Sequence, residues 1–163
     1  IRRVKSHCCS SLALLLFMSL LAACSGITTY PNTLDKNLNI RTDTSSNEFL
    51  GKVKADVDIY RVDAHCEGEY IGTVKLDEPT VAVGMPPDRP SYLVFNFASS
   101  AFFSGSSSFI NSATLLKPRA GYRYDIKVSY IDNIYDVAIR EARPGKSAGR
   151  EIERRALQTC KSQ

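Results

Sequence analysis

The segment from Lys52 to Val62, KVKADVDIYRV, alternates apolar and polar side chains with a period of two. Val53, Ala55, Val57 and Ile59 fall on one face, and Lys52, Lys54, Asp56 and Asp58 on the other. That is a strand with one buried side, because a period of two cannot keep an apolar stripe on a helix. The pattern returns down the chain. CEGE, with Gly68 in the turn, leads into YIGTVKL, and Pro79 precedes TVAVG. MPPDRP then precedes the strongly apolar SYLVFNF. GYRYDIKVSYI and IYDVAIRE flank Asp132-Asn133, which reads as a tight hairpin connection. A mainly β fold of about six or seven short strands is predicted, an antiparallel sandwich or partial barrel spanning residues 49–163.

The end of the chain departs from this pattern. Ser147 to Gln158 is free of β-branched residues except Ile152. Ile152, Ala156, Leu157 and Cys160 recur at helical spacing, with Arg150, Glu151, Glu153, Arg154 and Arg155 mainly outside. One C-terminal α-helix is expected there, its apolar stripe on the sheet.

The beginning of the chain has another character. A basic patch, IRRVK, precedes the apolar run LALLLFMSLLAA from Leu12 to Ala23, which ends at Cys24. As a helix that run spans about 18 Å, short of the ~30 Å hydrocarbon core, so residues 1–23 read as a cleaved signal peptide. Leu21-Ala22-Ala23-Cys24 resembles the lipobox of bacterial lipoproteins. The resemblance implies that the Cys24 sulfur takes a diacylglycerol, that cleavage falls just before it, and that the new amino terminus is acylated with a palmitate-type chain. Two or three acyl chains hold a protein on a membrane where one does so only marginally. Ser25 after the cysteine implies the inner leaflet of the outer membrane of a Gram-negative envelope, facing the periplasm. Residues 24–48 follow as a lipidated tether rich in Ser, Thr and Asn, with a reach of about 25–30 Å if flexible. Within it, LNIRT from Leu38 to Thr42 fits a short edge strand.

The chain holds 21 basic and 17 acidic residues, and Arg2, Arg3 and Lys5 belong to the leader. The mature body is left at about +1, which gives no electrostatic reason to expect nucleic acid as a partner. Cys8 and Cys9 leave with the leader and Cys24 takes lipid, so Cys66 and Cys160 remain. In an oxidising compartment an even pair is expected to form a disulfide, closing a loop of roughly 95 residues worth about 4–5 kcal/mol on the chain-entropy model. The alternatives are two buried thiols or a metal site using His65, but one histidine and one cysteine fall short of a ligand set.

Catalytic chemistry is poorly served. A Ser-His-Asp or Cys-His site would need His65 as base, beside a cysteine expected to be oxidised. Asp56 and Asp58 lie opposite the apolar stripe and read as a solvated strand face. No Gly-rich phosphate loop or EF-hand spacing occurs. ASSAFFSGSSSFINS, Ala98 to Ser112, is a serine-rich loop carrying Phe102, Phe103 and Phe109; either the apolar strand continues into Phe102 or Phe103 in the core, the favoured reading, or the exposed aromatics form a docking patch. RPGKSAGR, with Arg140, Arg154 and Arg155, is a basic region read as a solvated face, with anionic lipid or glycan the alternative.

The segments EYIGTV and AGYRYDIKV are similar to small sandwich modules, PEGA-type or transthyretin-like, of envelope lipoproteins. The expected function is a non-enzymatic, membrane-anchored envelope module that binds a protein or glycan, without cofactor or metal. The alternative is a small-molecule-binding or enzyme-inhibitor lipoprotein, with a pocket lined by Tyr122, Tyr124 and Tyr130.

Overall fold

The computed structural model describes residues 26–44, 53–100, 107–131 and 134–162. Among these residues the chain forms nine strands: β1 Leu38–Asp43, β2 Val53–Val62, β3 Gly68–Lys75, β4 Thr80–Val83, β5 Ser91–Ser100, β6 Ser107–Leu116, β7 Arg123–Ile131, β8 Ile134–Ala142 and β9 Arg150–Ile152. They make a five-stranded sheet, β4-β1-β7-β8-β9, and a four-stranded sheet, β3-β2-β5-β6. The two sheets share one core, so the fold is a sandwich and not a closed barrel.

Period-two alternation builds that core. On β2, Val57 and Ile59 are buried, and β5 faces the same way with Leu93, Phe95 and Phe97. The five-stranded sheet answers with Leu38, Ile40, Val83, Ile126, Val128, Val137 and Ile139. Each fully buried aliphatic or aromatic side chain of this kind contributes about 1.5–3 kcal/mol relative to exposure.

The segment expected to be a tether folds instead. Tyr30 is buried and its hydroxyl donates to the Gly84 carbonyl at 2.8 Å. Leu38 and Ile40 are 2% and 1% exposed. LNIRT is not an edge strand: β1 runs antiparallel to β4 and parallel to β7, between them. That parallel pair also corrects the all-antiparallel expectation. Upstream, Thr28 to Tyr30 lies along the open edge of β3, where Thr73 N–H donates to the Thr28 carbonyl at 2.8 Å and Tyr30 N–H to the Thr73 carbonyl at 3.0 Å. Gly72 permits this approach, because a Cβ there would sit 2.6 Å from the Tyr30 Cα.

The C-terminal α-helix is not formed. Arg150–Ile152 pairs with β8 as β9, and the chain ends in a 3-10 turn, Leu157–Ser162. The open edge of β8 outweighs a weak helical stripe, because pairing there satisfies backbone groups and packs Ile152 against the core. The count of strands also exceeds the six or seven expected, and the serine-rich stretch from Ser107 onward is strand β6, paired along its length with β5.

Candidate functional site

The hairpin connections of the two sheets gather at two ends with different chemistry. At one end lie the tips of the β5–β6 and β7–β8 hairpins, and the Phe97–Tyr135 ring contact of 4.9 Å shows that they sit together. Among the described residues four large apolar side chains are exposed there: Phe109 at 64%, Ile110 at 43%, Ile131 at 38% and Ile134 at 67%. Tyr130 stacks on Tyr135 at 4.4 Å beside them. Phe102 and Phe103, in the β5–β6 connection, lie outside the described residues, as do Asp132-Asn133 and the lipidation candidate Cys24.

The opposite end is stapled. Cys66 is joined to Cys160, with their Cα atoms 5.7 Å apart, tying the β2–β3 turn to the terminal 3-10 turn. Asp63 shapes the turn that presents Cys66: its Oδ1 accepts from the backbone N–H of His65 at 2.8 Å and of Glu67 at 2.9 Å. Those bonds, the Glu67 one foremost, hold its carboxyl below the usual range. His65 itself is exposed and far from any catalytic arrangement. Among the described residues no three His, Cys, Asp or Glu side chains gather as metal ligands would.

The same end opens a cleft of about 620 Å³ between the end of β6 and the β8–β9 edge. Two of its lining residues, Glu141 and Arg150, are placed there by register. Val83, Leu38, Tyr124, Glu141 and Arg150 form one cross-strand row through all five strands of the larger sheet. The row is apolar in the sandwich and becomes charged where it leaves the cover of the other sheet. Glu141, 8% exposed, accepts from the Tyr124 hydroxyl at 3.0 Å and from Arg150 at 3.2 Å, and lies 3.7 Å from Arg119. Burial, aided by the neighbouring carboxylate, pushes the Tyr124 hydroxyl up to about 12 against the opposing Arg119 N–H. It therefore stays a proton donor to Glu141. Both guanidiniums reach solvent, and Lys117, Arg155, Asp88 and Glu153 complete a rim of mixed sign.

The tyrosines expected to line a ligand pocket are not brought together. Tyr124 is in the core, Tyr122 is half-buried near the stapled end, and Tyr130 is at the apolar end. Another set, unread in the sequence, does assemble. Register places Tyr70, Tyr60 and Tyr92 in a row across β3, β2 and β5, with ring centroids 5.5 and 6.4 Å apart. Next to them the Asn96 amide donates to Asp56 and Asp58, both at 2.8 Å, and Thr73 donates to Asp58. The two aspartates are thus half-buried and clamped, not a freely solvated face. Burial, with the Asp58 charge adding to it, raises the Asp56 carboxyl above its ordinary value against the pull of Asn96. Pairing each polar residue with its neighbour across the strands would have found this cluster, but it needs the register.

Compared with known proteins, the chain matches no family model and no curated protein.

Proposed function

We propose that the chain is a non-enzymatic lipoprotein of a Gram-negative envelope, anchored through lipid on Cys24, whose apolar end docks a partner protein of that envelope. The observation that carries the docking is the exposure of Phe109, Ile110, Ile131 and Ile134 on two adjacent hairpin tips. Apolar side chains gathered at one spot are the usual mark of a protein interface, and isolated ones are not. The polar clusters support binding over catalysis: Glu141 and the Asp56/Asp58 pair are each engaged by neighbours and none is poised on a nucleophile. The orders β4-β1-β7-β8 and β3-β2-β5-β6, with β1 parallel to β7, support the transthyretin-like reading of the body. The leader ending at Leu21-Ala22-Ala23-Cys24 supports the anchor.

The test is a photocrosslinking amino acid placed at Phe109 or Ile134 in living cells. Discrete protein adducts are expected from both positions, lost when Ile131→Asp is added. Such a surface change should leave stability within about 0.5 kcal/mol of the parent. Smears or no adducts at both sites, with the protein folded and membrane-bound, would refute the docking.

A saccharide is the second reading, favoured by the Tyr70-Tyr60-Tyr92 row beside the clamped aspartates. Tyrosine faces stack on sugar C–H groups while carboxylates and amides accept their hydroxyls. Tyr60→Ala would abolish glycan retention under this reading and leave the crosslinks at Ile134 intact.

A further inference from the structure

The fold of the supposed tether changes what the anchor does. Tyr30 and Thr28 are already hydrogen-bonded to Thr73 on β3, and the Tyr70 hydroxyl donates to the Thr28 carbonyl at 3.2 Å. The Thr29–Thr73 bridge is parallel, so the chain traced backwards from Tyr30 runs toward Gly68 and the Cys66 turn. Only four peptide steps then separate Thr28 from Cys24. Fully extended, they span at most about 14 Å. A lipid on Cys24 therefore cannot leave the body free at the distance a two-dozen-residue tether would give. Continued in the direction of the parallel bridge, those steps lead toward the stapled end.

Charge points the same way. The connections at the stapled end carry Lys36, Arg89, Lys117, Arg119, Arg143 and Lys146, which outnumber the acidic residues of those connections. At the other end the described β3–β4 connection carries Asp77 and Glu78 and no cation. Ile27, the residue nearest the anchor with a described large apolar side chain, is 72% exposed.

We infer that the stapled end of the sandwich is a lipid-contact surface. Ile27 and the basic connections lie on anionic headgroups, and the apolar hairpin end points away from the membrane. This rests on lipidation of Cys24 and deepens that reading by assigning which surface faces which neighbour. Anionic lipid attracts basic segments within about a Debye length, roughly 8–10 Å. In this orientation the exposed apolar residues of the far end face away from the bilayer and remain free for a protein partner.

The chain has no tryptophan, so single-tryptophan variants report position cleanly. The lipidated protein, extracted from membranes, is reconstituted on vesicles of phosphatidylcholine and phosphatidylglycerol containing a brominated lipid. Ile27→Trp should be quenched at least threefold more than Ile134→Trp. The Ile27→Trp quenching should also fall at least twofold when phosphatidylglycerol is omitted, and this dependence should vanish with Arg143→Glu and Lys146→Glu. Equal quenching at the two sites, stronger quenching at Ile134→Trp, or a phosphatidylglycerol dependence that survives both charge reversals would overturn the orientation. Protein that fails to float with the vesicles would overturn the anchor itself and the orientation with it, a result distinct from flotation without quenching.

Discussion

Glu141 shows how one residue converts a core position into a site. It occupies an inward position of β8 and so is buried, yet it lies where the row Leu38-Tyr124-Glu141-Arg150 passes out from under the second sheet. Removing a buried charge's partner costs more than the contact is worth, because the remaining group stays desolvated. Tyr124→Phe is therefore expected to cost about 1–2 kcal/mol, and Glu141→Ala about 3–5 kcal/mol, read as shifts in urea midpoint. Asp56 has the opposite sign. Its folded carboxyl titrates above its unfolded value, so the native state binds that proton more tightly, and the ionised form opposes folding once the pH exceeds the unfolded pKa. Asp56→Asn keeps an oxygen for the Asn96 amide. The variant should be at least as stable as the parent at pH 7, with any gain shrinking as the pH falls through the raised carboxyl pKa and gone below the ordinary carboxylate range. A variant that is less stable at neutral pH would show that the Asn96 bond outweighs burial.

Among the elements, the staple and the N-terminal segment decide how much of the chain behaves as one body. Reducing Cys66–Cys160 frees the terminal 3-10 turn, and Cys160→Ser should lower stability by about 2–5 kcal/mol. The same loss should appear when the parent is melted with reductant. Gly72→Ala should push Thr28 to Tyr30 off β3, costing about 1–3 kcal/mol, with raised amide exchange at Thr73 as the local readout. Strands β2, β7 and β8 were legible in the sequence because each buries one face along most of its length. β6 was not, since Phe109, Ile110 and Asn111, toward the exposed hairpin tip, carry no buried stripe. β9 was not, since three residues are recruited by the open edge of β8 and carry no pattern of their own. β1 was read only as an edge because its polar neighbours hide Leu38 and Ile40, and its place between β4 and β7 depends on partners far along the chain. The disulfide pair was legible by counting; the Asp56-Asn96-Asp58 clamp was not, because it joins residues about 40 apart.

As a whole, the molecule is polarised. One end is stapled, with connections rich in basic residues, and the other carries exposed Phe109, Ile110, Ile131 and Ile134. Phe102 and Phe103 sit in sequence between β5 and β6, whose paired ends belong to that apolar end. Such an arrangement suits a short post between a membrane and a protein partner. It requires the sulfur of Cys24 to be the attachment. The most direct test is the intact mass of the protein extracted from membranes, beside a Cys24→Ala variant. The account predicts a chain beginning at Cys24 with two or three acyl groups, and a variant that is neither acylated nor cut there. A membrane-bound chain that keeps residues 1–23, or a Cys24→Ala protein processed and retained like the parent, would contradict it.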